Sequence, residues 1–257
     1  MIKKIKNSKL LRHDINLLII KGKIDKKESI VIIEHNTEKK LLQNNESKDD
    51  IYKYRVICPI NKKLLKKLSS KLVIVKESSK LYWDKIDNYV NNLLINGNIN
   101  WISEILYNKS NKNIIYQDEK FILLRDIIWD GTNIDNLYIL GIPKNSSIRS
   151  IRDLTEKDIP LLEYMYEKIV EVLKEKWNIK KEEMYYFFHY HPSFYYLHMH
   201  ICRVNHPSLQ SKFLRPHLLD KVIDDLKKDR NYYHNCNMHY EIPMNHNIYK
   251  NYFSVNK

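Results

Sequence analysis

Four of the chain's eleven histidines fall within His189-Tyr190-His191-Pro192-Ser193-Phe194-Tyr195-Tyr196-Leu197-His198-Met199-His200, at a spacing that is not helical. From Tyr196 to Cys202 the residue types alternate, with Leu197, Met199 and Ile201 on one side and Tyr196, His198, His200 and Cys202 on the other. Period two marks a half-buried strand, and it sets two imidazoles side by side on one face with an apolar backing behind them. Pro192-Ser193 is turn chemistry, which allows His189 to fold back toward that pair. Neutral imidazoles are nucleophiles and proton carriers, so the cluster suits substitution at phosphorus or coordination of a metal. His-x-His on a strand also fits tetrahedral zinc, but no third Cys, His or Asp stands at a recognisable ligand spacing. The expectation is chemistry without a metal or other cofactor.

The surrounding pattern is that of an antiparallel sheet with packed helices, preceded by a smaller α+β unit. Short Ile-rich runs at Asn16–Lys21 and Ser29–Glu34, and Tyr54–Ile57 ahead of Pro59, are expected strands. Leucines at 64, 65, 68 and 72 predict a helix over Asn61–Leu72, and residues 82–95 predict another. Asn96-Gly97-Asn98 breaks the chain before a helix from Trp101 to Tyr107. Phe121–Leu124, Leu137–Ile142, Tyr185–Phe188 and Tyr195–Val204 are expected strands. Thr155 with Asp158 three residues on resembles a capping box, opening a long helix that buries Ile159, Leu162, Tyr166, Ile169, Val170, Leu173 and Trp177. Pro216–Lys228 is an expected helix. The predicted division is residues 1–95 as the small N-terminal part and 96–257 as the part carrying the chemistry.

Composition narrows the function classes. Forty-three per cent apolar residues can build a core in 257 residues. No run approaches the roughly 18 continuous apolar residues a membrane helix needs, and nothing near the basic start has the form of a secretion signal. The expectation is therefore a soluble protein of the cytoplasm, with the nucleus as a second compartment, and no membrane partner. Cys58, Cys202 and Cys236 are odd in number and far apart, which fits a reducing compartment. The net charge of +13 favours anionic partners such as RNA, although Lys-, Asn- and Ile-rich drift from an AT-rich genome accounts for it equally simply.

The motif His189-x-x-Pro192-Ser193-x-Tyr195-x-Leu197-His198-x-His200 resembles the histidine-triad motif, and in this longer form that of the scavenger mRNA decapping enzymes. Asn136–Ile139, Ser150-Ile151-Arg152-Asp153-Leu154-Thr155 and Arg215-Pro216-His217-Leu218-Leu219-Asp220-Lys221-Val222-Ile223 resemble further blocks of that family, in the right order, over about residues 52 to 250. The resemblance implies a histidine-triad-like fold and a pyrophosphatase that releases 7-methylguanosine monophosphate from short capped RNA fragments or cap dinucleotides. It assigns His198 as nucleophile through a phosphohistidine, His189, Ser193 and His200 as phosphate ligands, and Trp101, Asp126 and Asn111 to the methylated base. It also implies a homodimer that exchanges its N-terminal domains. Read without the family, Trp101 suits core packing and Ser193 a turn, while Trp83 and Trp129 read as core; His191 stands where the family carries a typically apolar residue and is expected to be incidental.

The chain departs from the family at three places. Tyr196 replaces the first histidine of the triad, Asn111 stands where the family carries a base-pairing glutamate, and Ile128 stands where it carries a phosphate-binding lysine, a part that would fall to Arg125 or one of the nearby lysines. Two further functions follow from those departures: a catalytically weakened relative that binds nucleotide or ribonucleoprotein, and a hydrolase of other dinucleotide polyphosphates.

Overall fold

The computed structural model describes residues 6–14, 17–24, 27–35, 52–57, 70–97, 99–107, 113–126, 129, 131–206 and 216–254. The expectations at Asn111, Ile128 and Cys58 lie outside those residues, as does most of the expected helix from Asn61. Leu72, its last residue, instead opens a strand. Two compact units are present: Met1–Val73 with Ile242–Lys257, and Ile74–Glu241.

In the first unit four strands form an antiparallel meander: β1 (Lys6–Asp14), β2 (Leu17–Ile24), β3 (Lys27–His35) and β4 (Tyr52–Ile57). The β2–β3 ladder runs unbroken from Leu17↔Glu34 to Ile24↔Lys27, whereas β1 is bulged against β2. The strand β1 has no apolar alternation in its KNSKLLRHD sequence, which is why its sequence alone does not announce it.

The second unit opens with β5 (Leu72–Glu77), which pairs with the late strand β12 (Met238–Pro243). A helical run follows as Ser79–Leu81, a π turn at Tyr82–Ile86, and α1 (Asp87–Ile95). Tyr82, Ile86 and Val90 are its buried face. Gly97 takes a left-handed φ of 75° and ends the run before α2 (Asn100–Tyr107).

The main sheet has six strands in the order β11-β9-β10-β8-β7-β6 and is antiparallel throughout. Its members are β6 (Ile114–Gln117), β7 (Phe121–Arg125), β8 (Tyr138–Pro143), β9 (Met184–His189), β10 (Met199–Arg203) and β11 (Pro216–Leu218). The expected strand from Tyr195 begins only at Met199, because Tyr195 and Tyr196 form bends and Leu197-His198 make no ladder. Nor is it half-buried: Tyr196 through Cys202 are all at most 5% exposed, since helices and loops cover the second face. The expected helix over Pro216–Lys228 loses its first turn to β11, and α4 is Leu219–Lys228, followed by the short α5 (Tyr232–Asn235).

The long helix α3 (Ile159–Trp177) is entered through the expected box, in which the Thr155 amide donates to the Asp158 carboxylate at 2.8 Å. It leaves through Asn178 in the left-handed region. Met165 and Val172 are buried on it where Tyr166, Val170 and Trp177 were expected, a rotation of the buried stripe by about one residue. Gly141 of β8 allows the close approach: a Cβ there would lie 3.2 Å from Ile169 and 3.3 Å from Met165. Among the described residues no helix is long and apolar enough to cross a membrane.

Candidate active site

His200 pairs across the sheet with Phe187 of β9 and Leu140 of β8. Two residues along each of those strands, on the same face, stand His189 and Tyr138, the diagonal neighbours of His200. The His189 and His200 rings are 4.1 Å apart, and the Tyr138 hydroxyl meets His200 Nδ1 at 2.9 Å. Phe187 stacks against His200 at 5.3 Å and 14°. His189 therefore reaches the pair by strand register, with the Pro192-Ser193 turn only closing the loop behind it.

His198 lies just ahead of β10 but keeps the two-residue phase, so its ring is 4.8 Å from that of His200. Its Nδ1 is 2.7 Å from the Tyr196 carbonyl oxygen. A carbonyl only accepts, so Nδ1 carries the proton and the neutral ring presents its lone pair at Nε2. At 3% exposure this ring is held in place, and its Nε2 is itself buried.

Above the imidazole lies Phe194, stacked at 3.9 Å and 17°. Trp101 meets Phe194 edge-on at 5.0 Å and 81°, and at 41% exposure it is a surface residue rather than core. Trp129 is buried, as expected, whereas Trp83 is half-buried and stacks on His234 at 4.2 Å. A narrow cleft beside the histidines is lined by Arg149, Phe188, His189, Tyr196 and His198 among others.

The remaining expected residues join this group less directly. Ser193 is exposed on the turn that carries Phe194. Asp126 is half-buried at the end of β7, its amide donating to the Tyr138 carbonyl at 3.1 Å. Arg125 donates from Nη2 to Asn113 Oδ1 at 2.8 Å, and its guanidinium fills the space a Cβ would need at Gly131, where φ is 83°.

The largest feature that residue patterns did not reveal lies behind the loop. Glu77 and Arg152, both fully buried, pair at 2.7 Å. Glu77 Oε1 also accepts from the Tyr190 hydroxyl at 2.5 Å, and Oε2 accepts from Tyr240 at 2.9 Å and from His191 Nε2 at 2.8 Å. His191 Nδ1 lies 2.9 Å from the Tyr195 hydroxyl, so this histidine ties both ends of the motif loop to one carboxylate. Arg152 donates onward to the Tyr233 and Cys236 carbonyls, both at 2.7 Å. Burial alone would raise the Glu77 carboxyl, but the His191 hydrogen bond and charge, with Arg152 and Tyr190, outweigh it and hold it near about 2. The segment from Ser150 to Thr155 thus has a physical reason: Ser150 caps a short turn and Arg152 anchors the loop.

The family model described as "Scavenger mRNA decapping enzyme C-term binding" matches residues 100–214. The m7GpppX diphosphatase of Ascaris suum is 31% identical over 230 residues, covering 82% of this chain and 74% of that protein. The chain belongs to the scavenger mRNA decapping enzyme family. Another relative, the m7GpppX diphosphatase of Caenorhabditis elegans, is 32% identical over 194 residues, 73% of this chain. There the chain spans 62% of the relative's length. Among solved structures, Hnt3 in complex with DNA and guanosine aligns over 52% of this chain and 80% of that chain, at 19% identity and a TM-score of 0.35.

Proposed function

We propose that this chain hydrolyses the triphosphate bridge of short capped RNA fragments or cap dinucleotides, releasing 7-methylguanosine monophosphate. The observation that carries this reading is the Tyr196 carbonyl on His198 Nδ1, which leaves Nε2 as the nucleophilic nitrogen inside a group of three histidines.

In the first step the Nε2 lone pair forms a bond to the phosphorus attached to the methylated nucleoside, and the bond from that phosphorus to the bridging oxygen breaks. The electron pair leaves with the nucleoside diphosphate. The ring, now substituted at Nε2 and protonated at Nδ1, is cationic, and its N–H to the Tyr196 carbonyl strengthens as charge develops. In the second step water attacks the same phosphorus, the N–P bond breaks with its electrons returning to Nε2, and the water's proton passes to a neighbouring base. His200, oriented by Tyr138, and His189 are the donors and acceptors for the phosphate oxygens, with Ser193 on the adjoining turn. No step in this sequence requires a divalent ion.

Trp101 is assigned the methylated base, whose positive charge favours an aromatic face. Trp101→Ala is expected to weaken binding of 7-methyl-GpppG by about 1–3 kcal/mol, with little loss of stability because the ring is already exposed. Fluorescence titration measures the first quantity and thermal melting the second; a large stability loss with unchanged affinity would return Trp101 to the core.

Incubating the protein with 7-methyl-GpppG and separating the products tests the whole reading. The expected products are 7-methyl-GMP and GDP, at the same rate with and without EDTA. Loss of activity in EDTA would revive the metal reading of the histidines. Folded protein that binds the dinucleotide without cleaving it would make this a binding factor instead.

A further inference from the structure

We propose that Phe194 is a positioning residue that stabilises the cationic form of the His198 imidazole, an inference that rests on the nucleophile assignment above. The two rings lie nearly parallel at 3.9 Å and 17°. A cation over an aromatic face within about 6 Å is attracted by the ring quadrupole. The face contact lies out of the imidazole plane, whereas Nε2 attacks within that plane. Phe194 therefore stabilises the charge that forms on attack without standing in the path of the phosphorus.

The other groups around His198 act in the opposite sense or are already engaged. His200 on β10 and His189 at the end of β9 are its basic neighbours, the first at 4.8 Å. Arg149, from the segment before the Ser150 turn, lines the same cleft, but its guanidinium is held by Asp87 at 2.7 Å and Asp153 at 2.5 Å. The Tyr196 carbonyl and the Phe194 face both favour the imidazolium. Trp101 braces Phe194 from the outside, edge-on, so the residue assigned to the base also holds the platform under the nucleophile. A nucleotide stacking on Trp101 would thereby act on the ring that carries the reaction.

The test compares wild type, Phe194→Leu and Phe194→Trp in the full chain. The His198 imidazole is titrated by NMR without substrate, its signal identified by its absence in His198→Asn. Leu keeps the apolar bulk but has no π face. It is expected to lower the His198 pKa by about half a unit to one unit and to slow phosphohistidine formation in a single turnover about three- to tenfold. Phe194→Trp is expected to restore both, which a simple space-filling role would not do. An unchanged His198 pKa in a folded Phe194→Leu protein, shown by unaltered signals of the other histidines, would overturn the proposal. The titration involves no substrate, so the two claims separate. A lowered pKa in an enzyme that forms no phosphohistidine upholds Phe194 and removes the covalent intermediate; an unchanged pKa with a normal intermediate does the reverse.

Discussion

His198→Asn is expected to fold normally and to lose turnover of 7-methyl-GpppG by a factor on the order of 10⁴ or more, the scale seen when a covalent nucleophile is removed. Asparagine fits the space of the imidazole and can still donate to the Tyr196 carbonyl, so the loop keeps its anchor while the attacking nitrogen disappears. His200→Asn should be milder, because that ring acts on phosphate oxygens and leaves the nucleophile in place. Initial rates of 7-methyl-GMP release, measured beside a circular dichroism melt, read both effects. A His198→Asn protein within about tenfold of wild type would mean that another group attacks phosphorus.

The second large effect is on stability. Glu77→Ala is expected to destabilise the unit that carries the motif by about 3–5 kcal/mol, because it strands the fully buried Arg152 charge and takes a shared acceptor from Tyr190, His191 and Tyr240. Against total stabilities of about 5–15 kcal/mol, that is enough to leave much of the protein unfolded near 37 °C. The acid dependence has a definite sign. Glu77 has its carboxyl held down near about 2 in the folded protein, against an unfolded value of about 4.3. Its contribution is therefore fully present above about pH 4.3 and is lost as pH falls toward 2. Urea midpoints across that range should show a steeper acid loss in wild type than in Glu77→Gln. A Glu77→Ala cost under about 1 kcal/mol would show that the network is not what secures the loop.

The strands and helices of the larger unit were legible where apolar residues repeat on one helix face, as in α3, or run on continuously, as in β7 and β8. Residues without that signal were not. Strand β1 is polar but for the adjacent Leu10-Leu11, which gives no alternation, and β6, four residues long, is too short to show a period. The reading of Tyr195–Val204 as one half-buried strand failed because alternation in Leu197-His198-Met199-His200 distinguishes faces but does not say that both are covered. The convergence of the histidines was legible, since His189, His198 and His200 come together, and Trp101 lies one ring further out, against Phe194. Phe194 was overlooked because a contact between i and i+4 across a bend has no periodic signature. His191 was set aside for a related reason. Its partners, Glu77 and Tyr240, are 114 and 49 residues away, and only the folded chain brings a carboxylate to it.

The most direct measurement is an acid-free chemical quench of excess protein with cap dinucleotide, labelled at the phosphorus attached to 7-methylguanosine, followed by peptide mapping of the label. The predicted result is 7-methyl-GMP attached to His198, formed and lost at rates that account for turnover, and absent in His198→Asn. Turnover with no label on the protein at any time, or label on another residue with His198 unmodified, would contradict the central claim that the Nε2 of His198 is the nucleophile.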